Sequence, residues 1–210
     1  MNKLGDLSCN EFLTELASAA PAPGGGGGAA MAGALAAALA SMVANLTIGK
    51  EKFADREPEV KELLKQAEAE RVRLLTLVDE DAAVFNSFMS CYKLPKTTDE
   101  EKAARTAAIR AAAKQAATVP LNIARSSFAV LKLADRLVVA GNPGVITDGA
   151  CSGLLARAAL RCAEYNVRIN LGLTKDEVWN AQAAADLKQL LADAEALETR
   201  LLAVTDKALQ

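Results

Sequence analysis

Residues 20–50 read APAPGGGGGAAMAGALAAALASMVANLTIGK, five consecutive glycines followed by more than fifteen residues that are nearly all small and uncharged. Three structures would suit such a stretch: a phosphate-gripping loop, a membrane span, or the central helix of a bundle. A phosphate loop needs G-x-x-x-x-G-K-[ST] after a strand. Here Gly49-Lys50 is followed by Glu51, and Ala44 stands where the first glycine belongs. A dinucleotide fingerprint also needs a preceding strand, and ASAAPAP does not read as one. The run from Ala29 to Ile48 is long enough to span a bilayer. However, Ala and Gly partition weakly into lipid, Ser41, Asn45 and Thr47 close the run, and no aromatic belt flanks it. A helix packed inside a bundle explains the stretch better, with Ala29, Gly33, Ala37 and Ala40 allowing close approach of neighbours. The glycines then form a flexible turn feeding the helix N-terminus, where unpaired N–H groups and the positive dipole end suit an anion or a polar heterocycle. Each glycine raises the entropy lost on folding, so five of them imply close approach of a ligand rather than a simple turn.

The composition agrees with one helical domain spanning residues 1–210. Hydrophobic residues make up 51% but aromatics only 4%, so the core is built from small side chains. Lys and Arg number 24 against 26 Asp and Glu, a balance that gives no electrostatic reason to expect nucleic acid or an anionic membrane as partner. The start MNKLGDLSCNEF lacks the apolar stretch of a signal peptide. Cys9, Cys91, Cys151 and Cys162 include no C-x-x-C pair, and the chain has no histidine, so no metal site is expected. Reduced thiols and a cytoplasmic location are. Without histidine, proton transfer falls to Asp, Glu, Lys, Tyr or Cys.

Helix signals run through the chain. Ser8-Cys9-Asn10-Glu11, Thr98-Asp99-Glu100-Glu101 and Thr174-Lys175-Asp176-Glu177 each carry the S/T-x-x-E capping box. Pro58 suits the first turn of a long helix reaching to about Tyr92. Pro120 either starts a further helix or kinks the one begun near Thr98, and Gly141-Asn142-Pro143 ends it. A further helix runs from about Asp148 to Leu171, with Gly172 at its end. No segment alternates apolar and polar residues over a strand's length. The expectation is an all-α, single-domain bundle of about seven helices, one long and one central and small-residue.

Certain polar residues fall on apolar stripes. Leu74, Val78, Asp81, Phe85, Phe88 and Tyr92 recur at three- and four-residue spacing, which puts Asp81 on the buried face while Asp79 and Glu80 can point to water. A carboxylate on such a face is either a structural ion pair or a group with shifted pKa at a site. Asp148 reads as an N-cap, although Thr147 would serve equally. Asn166 and Asn170 share a face at i, i+4, either as interhelical glue or as contacts for an amide-like ligand edge. Lys50 closes the glycine-led helix as an available cation.

The stretches PGGGGGAAMAGALAAALASMVANLTIGK, DEDAAVFNSF, LPKTTDEEKAAR, VPLNIA and GNPGVITDGACSGLLARAALRCAEYNVRINL together resemble the cyclodeaminase/cyclohydrolase family. That family includes stand-alone bacterial methenyltetrahydrofolate cyclohydrolases and the C-terminal domain of formiminotransferase-cyclodeaminase. The resemblance runs in order from about Phe12 to Leu171 and is most specific in the glycine run, N-L-T-x-G-K and N-V-R-I-N. It implies a homodimer and a folate site built between helices. Residue by residue it carries over to Gly24, Gly25, Gly26, Asn45, Thr47, Lys50, Asp81, Asn142, Asp148, Asn166 and Asn170. Two departures are visible: Gly27 stands where many members have serine, and Gly149-Ala150-Cys151 replaces a pattern closer to V/A-G-V.

The activity implied is hydrolysis of 5,10-methenyltetrahydrofolate to 10-formyltetrahydrofolate, with formiminotetrahydrofolate cyclodeaminase as the rival and a non-catalytic scaffold as the alternative of another class. Asp81 and Asp148 are the acid–base candidates, with Lys50 tuning one of them. Asn45, Asn166 and Asn170 would bind the pterin, while Gly24 to Gly27 let it approach the backbone. Thr47 and Asn142 complete the expected binding set. No cofactor beyond the folate substrate is expected.

Overall fold

The computed structural model describes residues 3–210, and among these every regular element is helical. Six α-helices follow one another: α1 Cys9–Leu16, α2 Gly25–Asn45, α3 Glu57–Cys91, α4 Asp99–Ala140, α5 Ile146–Thr174 and α6 Glu177–Ala208. Short 3-10 turns at Leu4–Asp6, Glu51–Phe53 and Pro143–Val145 punctuate them. The capping boxes expected at Ser8 and Thr98 are both formed, and Pro58 sits in the first turn of α3.

Six helices agree with the expected bundle of about seven, and of the two readings of Pro120 the structure has it inside one helix, α4, without starting a new one. Two boundaries of α5 move. It begins at Ile146, so neither Thr147 nor Asp148 is its N-cap, and Asp148 lies within the first turn. It runs past Gly172 to Thr174, where Lys175 takes a left-handed backbone conformation (φ 57°). The cap of α6 is Asp176, whose side chain accepts from the Trp179 amide, instead of Thr174.

α2 lies at the centre, packed against α3, α4 and α5, and α6 covers α4 and α5. Its buried positions are almost all Ala or Gly. A methyl group built on Gly33 would stand 3.0 Å from Leu74 and 3.1 Å from the Ser127 hydroxyl. Helix axes therefore approach closely, and the larger side chains of α3–α5 fill the space that small ones leave. Leu74, Leu77, Ile123, Leu131 and Leu160 are fully buried, each stabilising the fold by about 1.5–3 kcal/mol. The Ser152 hydroxyl donates to the Ala36 carbonyl at 2.7 Å, tying α5 to α2. Where α6 crosses, Leu201 fills the space left by the missing side chain of Gly153. Beside it, Arg200 grips the buried Asp135 carboxylate through both Nε and Nη2.

Helix α2 is long and apolar enough to cross a bilayer by length and composition, yet 61% of its most apolar window is buried inside the bundle. That matches the expectation of a packed central helix.

Candidate active site

The first turn of α2 ends against α3. Gly24 is its N-cap, and Gly25 through Gly28 are already helical. The expected flexible glycine turn is therefore a helix start, and packing explains it. A methyl group on Gly26 would lie 2.2 Å from Asp81 Oδ1, so only glycine lets the carboxylate occupy that space. On Gly25 it would meet the Asn166 amide at 3.5 Å. The first N–H groups of a helix lack intrahelical acceptors and favour an anion. The anion here is the chain's own Asp81. Burial pushes the Asp81 carboxyl above the ordinary carboxylate range, and the Gly27 amide pulls partly the other way.

Asp81 lines a cavity of about 330 Å³ together with Gly24, Gly25 and Gly26 from α2, Phe85 and Phe88 from α3, Pro120 from α4 and Asn166 and Asn170 from α5. The stripe containing Asp81 splits along its length. Leu74 and Val78 are fully buried, whereas Phe85 is 37% exposed and faces the cavity. The neighbours Asp79 and Glu80 do not simply point to water: Asp79 accepts from the Leu4 amide at 2.6 Å, and Glu80 pairs with Arg73 at 2.8 Å.

Pro120 and Asn170 work together. A proline inside a helix has no N–H, so the carbonyl four residues earlier loses its donor. That carbonyl belongs to Ala116, and Asn170 Nδ2 donates to it at 2.9 Å. The same Nδ2 donates to the Asn166 carbonyl at 2.8 Å. With both protons of the amide committed to carbonyls, Oδ1 is the atom left for a ligand, and it can only accept. Asn166 donates one proton to the Cys162 carbonyl at 2.9 Å, keeping a second proton and Oδ1. The two asparagines are thus glue and cavity lining at once. The sequence reading missed Pro120 as a cavity residue because nothing local distinguishes it from a helix break. Phe85 and Phe88 were visible on the Asp81 stripe but read as core.

The remaining expected residues are gathered elsewhere. The 21 residues of α2 span about 30 Å, and Asn45, Thr47, Lys50, Asn142 and Asp148 collect around its opposite end. Thr47 is buried, donates to the Val43 carbonyl at 2.7 Å and accepts from the Asn142 amide at 2.8 Å. Asn142 Nδ2 donates to the Leu46 carbonyl at 3.1 Å, and its Oδ1 accepts from the Gly144 amide at 3.0 Å. These two residues staple the end of α2 to the α4–α5 turn. Asn45, Lys50 and Asp148 make no side-chain hydrogen bond or ion pair among the described residues, and the first two are exposed. No group of three or more Cys, Asp or Glu side chains is placed to hold a metal ion among the described residues.

Residues 8–189 match the formiminotransferase-cyclodeaminase family. The chain is 44% identical to the methenyltetrahydrofolate cyclohydrolase of Methylorubrum extorquens, over 94% of this chain and 95% of that protein. It is 33% identical to the formimidoyltransferase-cyclodeaminase of Sus scrofa, over 87% of this chain but only 34% of that much longer protein. Among solved structures, the formiminotetrahydrofolate cyclodeaminase of Thermotoga maritima superposes with a TM-score of 0.88 at 29% identity, each chain covered to 98%. With its glycine-started central helix, its Asp81 cavity and these relatives, the chain belongs to the formiminotransferase-cyclodeaminase family.

Proposed function

We propose that this protein is an enzyme that hydrolyses 5,10-methenyltetrahydrofolate to 10-formyltetrahydrofolate. The observation that carries the reading is the Asp81 carboxylate, held by burial and by the α2 N-terminus in an apolar-walled cavity beside two asparagine amides. The 44% identity to a cyclohydrolase along nearly the whole of both chains supports it.

The substrate's methenyl carbon is cationic, and a carboxylate at 81 attracts it. Asp81 takes a proton from the attacking water as the C–O bond forms, giving a neutral carbinol. The carbinol hydroxyl then loses its proton while N5 gains one, and the C–N5 bond breaks to leave the N10-formyl group. One proton is released overall. Asn170 Oδ1 and the free amide atoms of Asn166 suit the alternating donors and acceptors of a pterin edge. The chemistry draws on no cofactor besides the folate. The reading includes a homodimer and a cytoplasmic location, the latter supported by four free thiols.

Loss of the near-ultraviolet absorbance of methenyltetrahydrofolate, measured against an enzyme-free blank, tests the reading. Acceleration that collapses in Asp81→Asn is expected, and no acceleration by the wild-type chain overturns it. The likeness to the Thermotoga cyclodeaminase favours a second reading, ring closure of formiminotetrahydrofolate with release of ammonia. Ammonia release without methenyl hydrolysis would select it. Binding of neither folate would leave a scaffold.

A further inference from the structure

The proposed substrate has three parts in order: the reacting pterin, a benzoyl ring bonded to N10, and a glutamate bearing two carboxylates. The Asp81 cavity, which no cation lines, suits only the first. Helices α3 and α5 both continue past the level at which α2 begins, α3 from Asp81 to Cys91 and α5 from Asn166 to Thr174. These extensions are each about 12–15 Å long. Helix α4 packs against both α3 and α5, so beyond Gly24 it forms the floor of a groove leading out of the cavity. Arg105, Ile109, Ala112, Ala116 and Val119 recur at three- and four-residue spacing and so share one stripe of α4. Ala116 and Val119 line the cavity, and Arg105 therefore stands at the outer end of the groove.

The α3 wall leads to the same residue. Phe88 lines the cavity, Tyr92 meets it edge to face with ring centroids 5.3 Å apart, and the Arg105 guanidinium lies over the Tyr92 ring at 5.5 Å. Arg105 Nη2 also donates to the Tyr92 carbonyl at 3.3 Å, which fixes the guanidinium at the turn between α3 and α4. Arg105 pairs with no carboxylate among the described residues, and its buried Nε has no hydrogen-bond partner. Two cations next to cavity-lining residues are already taken, Lys114 by Asp176 at 2.8 Å and Arg168 by Glu164 at 3.3 Å. Two carboxylates nearby are taken as well, Asp99 by Lys102 and Glu101 by the amides of Thr97 and Thr98. Lys93 and Lys96, both exposed, add positive charge to the same turn.

We propose that the groove from Phe88 to Arg105 binds the benzoylglutamate part of the folate, with the benzoyl ring against Phe88 and Tyr92 and a glutamate carboxylate on the Arg105 guanidinium. This deepens, and rests on, the folate reading of the Asp81 cavity. The two orders coincide: carboxylate, aromatic rings and guanidinium in the protein meet reacting carbon, benzoyl ring and carboxylate in the substrate. Ring edges and faces at the α3 wall suit a further aromatic ring. A planar guanidinium takes a carboxylate through two parallel N–H bonds. Because Tyr92 already holds that plane, less order is lost when the anion binds.

Titration calorimetry with tetrahydrofolate and with tetrahydropteroate, the same molecule without its glutamate, tests this. The wild-type chain is expected to bind tetrahydrofolate about ten- to a hundredfold more tightly. In Arg105→Met that preference should disappear, with helical circular dichroism retained. Arg105→Lys, a smaller change to the turn that keeps the charge but loses the fork, should show an intermediate preference. Arg110→Met, about 140° further round the same helix, should keep the wild-type preference. Equal binding of both ligands by the wild-type chain overturns the proposal. So does an Arg105→Met chain that binds both ligands more weakly by the same factor, since that marks Arg105 as a clamp for the turn alone. A wild-type chain that shows the preference but hydrolyses no methenyltetrahydrofolate upholds the subsite and sinks the cyclohydrolase reading, whereas one that binds neither ligand overturns both.

Discussion

The two ends of α2 carry the same kinds of residue for different purposes. At its start, the backbone is pared to glycine so that a carboxylate from α3 can sit against it, and polar side chains turn toward a cavity. At its end, Thr47 and Asn142 spend their hydrogen bonds on one another and on nearby backbone. The sequence marks both ends equally, with glycines and amides in specific spacing. What separates them is whether the polar atoms left after the internal bonds are made line an enclosed cavity, as at the start of α2, or lie at the surface, as Asn45 and Lys50 do. Asn170 keeps Oδ1 in the cavity lining, whereas Thr47 is buried with its hydroxyl proton given to Val43 and its oxygen taken by the Asn142 amide.

The sharpest way to break this contrast is at Asp81. Asp81→Asn should lower kcat/KM on the order of 10²–10⁴-fold. Thermal unfolding at neutral pH should show Tm unchanged or raised, because a half-buried charge whose desolvation outweighs its Gly27 hydrogen bond has been removed. A fall in Tm with retained activity would put Asp81 among the scaffold residues. Gly26→Ala comes next. Its methyl would overlap the carboxylate, so activity should fall about tenfold or more through misplacement, and urea unfolding should register about 1–3 kcal/mol of destabilisation.

A pair of smaller changes compares the ends directly. Asn170→Ala and Thr47→Val each orphan a backbone group and should cost about 1–3 kcal/mol in urea unfolding. Steady-state kinetics should then separate them: KM rises for Asn170→Ala, while kcat per folded molecule is little changed for Thr47→Val. The smallest effect is a pH slope. Asp81 has a folded-state pKa raised by burial, so the folded state binds its proton more tightly than the unfolded state. The resulting stability is present at low pH and is lost as pH rises from about 4, the ordinary carboxylate value, through the raised one. Wild-type Tm relative to Asp81→Asn should decline across that window, and a flat difference would count against burial of the charge.

Much of the architecture was legible in the sequence because helices announce themselves locally. The caps at Ser8 and Thr98 and the long α3 follow from spacing alone. Whether Pro120 starts a helix or sits inside one was not legible, because a proline's cost depends on what takes over the freed carbonyl, and Asn170 is fifty positions away in the chain. The cavity members Asp81, Asn166 and Asn170 were visible as polar residues on apolar stripes. That Lys50 and Asp148 stand apart from them was not, since spacing along a helix says nothing about which of its ends a residue on another helix will meet.

The clasp between Arg200 and Asp135 has a consequence for the order of events in the cell. Synthesis proceeds from α1 to α6, and domains begin to organise as they emerge. Asp135 is nearly inaccessible in the finished bundle, yet its guanidinium partner comes 65 positions later in the chain. Until that residue leaves the ribosome, α4 must keep a charge at its surface in water. α4 therefore cannot complete its packing before α6 is made, and a chain cut short of Arg200 would be left holding an unneutralised carboxylate where its core should be.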